Sequence, residues 1–263
     1  MSQELIHKNH WNDLKQFTAA RIALGRTGNS LPTAELLKFG LAHAQARDAV
    51  HLPFEIEELE QSLTYQGFHV LKAYSAANDR ETYLRRPDFG RQLATTSREE
   101  LAVHAKPQEL VIVVGDGLSS TAVHKNTLPF LLELRERLDL LGISCNTVVL
   151  AKQARVAIGD DIGETLQAKA VAVLIGERPG LSSPDSLGCY LTWNPKVGLL
   201  DSERNCISNI RPEGLIYSQA AHKLSWLLAE SFRRQLSGVN LKDESDDAED
   251  ILLTHEKQQQ LSC

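Results

Sequence analysis

The stretch that decides the fold is LVIVVGDGLSS, residues 110–120. Its first six residues form a continuous apolar run rich in β-branched side chains, which is typical of a strand buried on both faces. Two further apolar runs follow, ISCNTVVL at residues 143–150 and AVAVLIG at residues 170–176. Because strands buried on both faces belong mostly to parallel sheets, this part of the chain predicts an α/β domain.

The segments between and after these strands predict helices. TLPFLLELRERLDLLG carries a leucine stripe at helical spacing, and DIGETLQ predicts a short helix opened by a capping box of Asp161 and Glu164. GCYLTW predicts a fourth strand, and YSQAAHKLSWLLAESFRRQLSG predicts a long last helix that stops at Gly238. Alternating strands and helices at this spacing predict a right-handed, doubly wound, Rossmann-like parallel sheet.

The first hundred residues predict helices. SLPTAELLKFGLAHAQARDAVH has Ser30 as an N-cap, and its apolar residues recur at helical spacing: Leu36, Leu37, Leu41 and Ala44. LPFEIEELEQSL predicts a second amphipathic helix, and LRRPDFGRQL at residues 84–93 predicts a loop. We therefore divide the chain into a helical N-terminal region (1–105), an α/β domain (106–242) and an acidic C-terminal tail (243–263).

Charge and composition exclude several classes of function. The net charge is −6, and DESDDAED at residues 243–250 supplies all of it, so the body of the chain has no basic field for nucleic acid. We expect a solvated, flexible tail there, with a partner-binding tail as the alternative. No apolar stretch predicts a membrane span or a secretory signal. The four scattered cysteines predict reduced thiols in the cytosol.

Ligands of an open parallel sheet bind beyond the carboxyl ends of its strands. GLSS occurs in two of the loops there, but GDGLSST is not G-x-G-x-x-G, and the second strand is not followed by an acidic residue. A structural turn is therefore favoured over a nucleotide loop. The loops in question are GDGLSS (115–120), AKQARVAIGD (151–160) and GERPGLSSPDS (176–186).

Two residues outside any catalytic motif are candidates for ligand contact. Glu177 directly follows a buried strand, where a carboxylate can accept hydrogen bonds from ligand amides or hydroxyls; the alternative is a surface pair with Arg178. Cys206 is a lone thiol, which is more typical of a small buried residue than of a nucleophile. With no G-x-S-x-G and no histidine set for a metal, the residues predict an α/β binding domain without its own catalytic set.

Five segments resemble, in order, the small (light) subunit of ethanolamine ammonia-lyase, and the resemblance runs from about residue 15 to about residue 244. It implies an adenosylcobalamin-dependent carbon–nitrogen lyase that deaminates ethanolamine and similar vicinal amino alcohols to acetaldehyde and ammonia by a radical mechanism. The segments are ARIALGRTGNSLPTAELLKFGLAHAQARDAVH, YLRRPDFGRQL, VVGDGLSSTAVH, IGERPGLSSPDSLG and ERNCISNIRPEGLIY.

The resemblance also implies a partner and a cofactor site. A large TIM-barrel subunit would hold the substrate in a hetero-oligomer, and the small subunit would close over cobalamin at the interface, contacting the large subunit in part through its N-terminal helices. The family's cobalamin contacts correspond to Val156 in QARVAIGD, Glu177 in IGERPG and Cys206 in ERNCISN. No catalytic residue and no metal ligand is implied on this chain.

Three further expectations follow from the resemblance. The chain has no D-x-H-x-x-G, so the cofactor is expected to keep dimethylbenzimidazole as its lower ligand. The expected location is the cytoplasm, within a bacterial microcompartment. The alternative function is a non-catalytic scaffold or regulatory partner of a TIM-barrel enzyme.

Overall fold

A computed structural model describes residues 6–248 and 250 of the chain. These residues contain a six-stranded sheet with helices packed on both of its faces. The spatial order of the strands is β1-β3-β2-β4-β5-β6. Their bounds are β1 His69–Tyr74, β2 Gln108–Gly115, β3 Thr147–Lys152, β4 Ala168–Gly176, β5 Leu187–Trp193 and β6 Arg204–Ile210.

Helices precede, connect and follow the strands. The predicted loop at residues 84–93 contains one of them, α4. In the described part of the chain, no helix is long and apolar enough to cross a membrane. Their bounds are α1 Thr33–His51, α2 Ile56–Tyr65, α3 Arg80–Arg85, α4 Pro87–Gly90, α5 Thr95–Ala102, α6 Ser120–Leu141, α7 Ile158–Thr165 and α8 Tyr217–Arg234.

The sheet is mixed, which corrects the prediction of a parallel, Rossmann-like sheet. β1, β3, β2 and β4 are parallel, but β5 is antiparallel to β4, and β6 is antiparallel to β5. The reason lies in the connection at residues 177–186, which contains no helix. A parallel crossover needs a dozen or more residues and usually a helix, whereas a short loop returns the chain in the opposite direction.

Two strands, β1 and β6, were not predicted from the sequence, and both lie at the edges of the sheet. β1 lies in the region predicted as helical and pairs with β3, so the sheet includes residues from both sides of position 105. β6 has three buried residues among its seven, Arg204, Ile207 and Ile210. Edge strands bury fewer residues, and they therefore lack the continuous apolar run that identified β2.

Alternate residues of the central strands face two hydrophobic clusters. Leu110, Ile112 and Val114 belong to the cluster that also contains residues of α2, α6 and α8. We call this side of the sheet the first face. Val111 and Val113 belong to the cluster that also contains residues of α5 and α7, on the opposite side of the sheet, which we call the second face. Burial on both faces explains why this strand carries no polar side chain after Glu109.

Three helix ends differ from the prediction. α1 begins at Thr33 rather than just after Ser30, Asp161 lies inside α7 rather than at its N-cap, and α8 ends short of Gly238. Asp161 pairs instead with Arg98 of α5, at 2.5 Å. This ion pair joins two helices that cover the second face.

The described part of the acidic tail contacts α6 and α8. Arg137 is buried in α6 and pairs with Asp250 at 2.7 Å, while Lys223 of α8 pairs with Asp246 at 2.6 Å. Ser245 between them is buried. These contacts hold residues 243–248 and 250 against the domain; the rest of the predicted tail, residues 251–263, lies outside the described residues.

The GDGLSS loop is a tight structural turn that packs against the end of β4. Gly117 has φ +56°, and a Cβ there would lie 2.2 Å from the carbonyl oxygen of Gly176. The Leu118 amide donates to that same oxygen at 2.9 Å. Ser119 caps α6 by accepting from the Ala122 amide at 3.1 Å. The two GLSS loops therefore meet at one edge of the sheet without forming a phosphate loop.

Gly117→Ala is expected to lower the free energy of unfolding by about 3 kcal/mol or more, because strain in the left-handed region adds to a backbone clash. Gly142→Ala is the matched control: its φ is +67°, but no atom lies within 4 Å of the added Cβ. Its loss should stay at about 1–2 kcal/mol. Urea denaturation followed by circular dichroism measures both, and equal losses would contradict the clash.

Candidate functional site

A cavity of about 360 Å³ opens on the second face of β5 and β6. Its walls come from α4, from the loop after β3, and from the two antiparallel strands. Val156 and Cys206, two of the three predicted cobalamin contacts, line this cavity. The structure thus brings together two residues that are 50 positions apart in the sequence.

The strand register aims three side chains into the cavity. Tyr190 of β5 is the register partner of Cys206 in β6 and of Val173 in β4, which belongs to the second face. Arg204 precedes Cys206 by two positions and therefore points to the same side of the sheet. The sequence did not identify Tyr190 and Arg204 as cavity residues. The face of the sheet on which they lie is evident only once β6 is known to be a strand that pairs with β5.

Contacts with α3 and α4 hold the loop that carries Val156. The Arg155 amide donates to the carbonyl oxygen of Gly90 at 2.8 Å, and the Arg155 guanidinium stacks 4.3 Å from the centre of the Tyr83 ring. The Tyr83 hydroxyl donates to the Ala154 carbonyl at 3.0 Å. These contacts fix the backbone just before the valine, which packs partly against the second-face cluster.

Glu177 lies beside the cavity on the same sheet face. Its carboxylate accepts hydrogen bonds from the Ser208 hydroxyl at 2.7 Å, the Ser186 hydroxyl at 2.5 Å and the Asn209 amide at 3.2 Å. These partners replace the surface pair with Arg178 that the sequence left open. Ser208 follows Cys206 by two positions, so the carboxylate is held next to the cavity wall.

Glycine at position 188 makes room for this carboxylate. A Cβ at Gly188 would lie 3.0 Å from Glu177 Oε1 and 3.3 Å from Cε2 of Tyr190. Such distances are tighter than ordinary van der Waals contact, so a larger residue would press on both side chains. Gly188, Glu177 and Tyr190 therefore form one continuous surface with the cavity.

Cys206 and Tyr190 present neutral groups to the cavity. Cys206 is exposed at the cavity wall rather than buried, which corrects the base-rate expectation for a lone thiol. Desolvation by the surrounding protein raises the pKa of its thiol more than the hydrogen bond with Tyr190 lowers it. Burial also raises the pKa of Tyr190. A protonated thiol is a poor nucleophile, so Cys206 is suited to lining a pocket.

A buried ion pair closes the inner side of the cavity. Arg204 hydrogen-bonds Asp160 of α7 and also pairs with Asp201 at 2.9 Å. Burial raises the pKa of Asp160 to about 6, although Arg204 acts in the opposite direction. Neither residue was singled out from the sequence, since the pairing joins β6 to a helix more than 40 positions away.

Comparison with known proteins adds the observation that decides the family. A family model described as the ethanolamine ammonia-lyase light chain matches residues 8–242. The chain belongs to the ethanolamine ammonia-lyase light-chain family. The resemblance stated from the five sequence segments is thereby confirmed.

Individual relatives agree with this assignment. The ethanolamine ammonia-lyase small subunit of Pseudomonas fluorescens (strain SBW25) is 57% identical over 241 residues, which cover 90% of this chain and 87% of that protein. The small subunit of Azotobacter vinelandii (strain DJ / ATCC BAA-1303) is 56% identical over 243 residues, covering 91% and 90%. Membership in a light-chain family implies a large-subunit partner.

Asp160 is expected to titrate near pH 6 in the folded light chain, because burial raises its pKa. Since its folded pKa lies above the unfolded one, its contribution to stability is full below about pH 4 and is lost as the pH rises through 6. Carboxyl ¹³C NMR measures the titration, and Asp160→Asn assigns the signal. Asp88, whose pKa is lowered by its hydrogen bond with Arg86, is the internal control. A midpoint near pH 4 for Asp160 would contradict its burial.

Proposed function

We propose that this chain is the cobalamin-binding small subunit of an ethanolamine ammonia-lyase, which converts ethanolamine and similar vicinal amino alcohols to acetaldehyde and ammonia. The observation that carries the proposal is the convergence of Val156, Glu177 and Cys206 on one face of β5 and β6. These three positions were chosen from the family resemblance, before the structure was considered. Their closeness in the structure, although they are distant in the sequence, supports a shared role.

The chemistry of the face fits a corrinoid. The rim of the corrin ring carries amide side chains, which donate hydrogen bonds to carboxylates. Glu177 Oε2 accepts from Ser186 and Asn209, whereas Oε1 accepts only from Ser208 among the described residues. Because each carboxylate oxygen has two lone pairs, Oε1 keeps one for a ligand. The existing hydrogen bonds hold that oxygen in place before the ligand arrives, which reduces the entropy lost on binding.

The cavity beside Glu177 suits the less polar part of the same ligand. Val156, the Tyr190 ring and the neutral Cys206 thiol offer apolar or weakly polar contact. A corrinoid is larger than a cavity of about 360 Å³, so this chain would cover only part of it. We propose that the large subunit, a TIM barrel, covers the remainder and holds the substrate.

The proposed roles of the light chain and of the cofactor follow from the residues that the light chain contains. Adenosylcobalamin, when bound, supplies the radical chemistry, and the light chain binds it, orients it and excludes water. We assign no catalytic residue and no metal ligand to this chain, and we propose activity only in the hetero-oligomer. From the family resemblance we further propose that the cofactor keeps its dimethylbenzimidazole ligand and that the complex works in the cytoplasm, within a bacterial microcompartment.

Glu177→Ala in the complex with the large subunit is expected to weaken adenosylcobalamin binding roughly 10- to 100-fold, as for loss of a hydrogen bond to a charged group. The Kd is measured by titration of the purified complex with adenosylcobalamin, and ammonia release from ethanolamine is followed in parallel. Glu177→Gln retains the size of the side chain and one acceptor oxygen, so its loss should be smaller.

Glu99→Ala is the matched control, since Glu99 is an exposed carboxylate on α5. It should leave the Kd unchanged, and the melting temperature of all three variants should stay close to wild type. An unchanged Kd for Glu177→Ala would remove Glu177 from the site. A large subunit that binds adenosylcobalamin equally well without this chain would favour a scaffold or regulatory role instead.

A further inference from the structure

Tyr83 is a fully buried side chain that holds the loop after β3 in place. It lies on α3, and its hydroxyl donates to the carbonyl oxygen of Ala154 at 3.0 Å. The guanidinium groups of Arg80 and Arg155 both lie over its ring, 4.7 Å and 4.3 Å from the ring centre. Aromatic rings attract cations more strongly where water is excluded. Tyr83 therefore contacts this loop through its hydroxyl and through its ring.

Asp116, just beyond the end of β2, contacts the same residue of the loop. The Ala154 amide donates to Oδ1 of Asp116 at 2.9 Å, and the Arg80 guanidinium donates to Oδ2 at 3.2 Å. Ala154 is itself fully buried. Both polar backbone groups of Ala154 are therefore bonded by side chains, the amide to Asp116 and the carbonyl to Tyr83. Because a buried backbone group without a partner is costly, these two side chains fix the backbone at this position.

The backbone conformation of the loop makes it dependent on these contacts. Gln153 has φ +56°, in the left-handed region, which is unfavourable for a residue with a side chain. Such a conformation persists where the surrounding contacts determine it. The Gln153 side-chain oxygen accepts from Arg80 at 3.4 Å. Arg80 also donates to the carbonyl oxygens of Val50 and Gly117, both at 2.9 Å, so the side chains packed against the loop set its path.

Tyr83 lies outside the lining of the cavity, whereas Arg155 and Val156 are part of it. Helix α4 closes on the same ring, since a Cβ at Gly90 would lie 2.9 Å from Tyr83 Cδ2 and 2.9 Å from Arg155 Cγ. Burial raises the pKa of Tyr83, so the hydroxyl keeps its proton and donates. A change at this hydroxyl would therefore reach the cavity through the backbone from Ala154 to Val156.

We propose that Tyr83 is a positioning residue for the cofactor, which places Val156 against adenosylcobalamin through its hydrogen bond to Ala154. The proposal rests on the proposed function, since it takes Val156 as a cobalamin contact. A loop that already has its bound conformation loses less entropy when the ligand binds. The affinity of the complex for adenosylcobalamin is therefore expected to depend on a side chain that does not touch the cofactor.

Tyr83→Phe in the complex with the large subunit removes the hydroxyl and keeps the ring beneath both guanidinium groups. It is expected to weaken adenosylcobalamin binding about three- to tenfold, as for the loss of one neutral hydrogen bond. Tyr65→Phe is the matched control, since Tyr65 is 89% exposed and precedes the amino end of β1. It should leave the Kd unchanged. The Kd is measured by titration of each purified complex with adenosylcobalamin.

Hydrogen–deuterium exchange of the same complexes separates positioning from a general loss of stability. Tyr83→Phe should raise amide exchange at residues 151–157 about three- to tenfold and leave exchange in β2 and β4 at the wild-type level. Circular dichroism melting tests whether the variant folds. If it does not, Asp116→Asn takes its place, because it weakens the other bond to Ala154 while keeping the size of the side chain. The same changes in Kd and exchange are then expected.

An unchanged Kd in a folded variant would overturn the proposal, and so would a weaker affinity with unchanged exchange at residues 151–157. Exchange that rises equally in β2 and β4 would also overturn it, because Tyr83 would then act on the fold as a whole. A wild-type complex that binds no adenosylcobalamin would overturn the proposed function and this proposal with it. Binding that Glu177→Ala weakens and Tyr83→Phe does not would overturn the positioning role alone.

Discussion

Burial of β2, β3 and β4 on both faces is the constraint on which the rest of the structure depends. A strand buried on both faces has little place for a polar side chain, so the polar residues of these strands lie at or near their ends. Glu177 follows the last residue of β4, and Asp116 follows the last residue of β2. Parallel pairing of these strands places their carboxyl ends at one edge, where the two GLSS loops contact each other.

The antiparallel pair β5 and β6 forms one wall of the cavity beside this edge. Helices α6 and α8 contact this pair on the first face. Their second face carries Tyr190, Arg204 and Cys206 beside an open cavity. The loop after β4 is short enough to hold Glu177 against Ser208, so the acidic group and the cavity act as one surface.

Two features distinguish the surface of the light chain: the polar groups at its cavity and the exposed apolar side chains near its N-terminus. Its polar groups near the cavity are already paired, as Arg204 with Asp160, or neutral, as the Cys206 thiol. Its largest apolar side chains outside the core lie on α1 and the segment before it. Both features agree with a light-chain family whose members work with a large subunit.

The sequence by itself determined the three central strands, the long helices α6 and α8, and the family, because burial on both faces leaves a continuous apolar run and five matching segments are specific. Only the tertiary structure decided the direction of β5, the edge strands β1 and β6, the Arg204–Asp160 pair and the outward leucines of α1. The physical reason is that periodicity shows which residues share a face, whereas the neighbour of that face is set by contacts between distant parts of the chain.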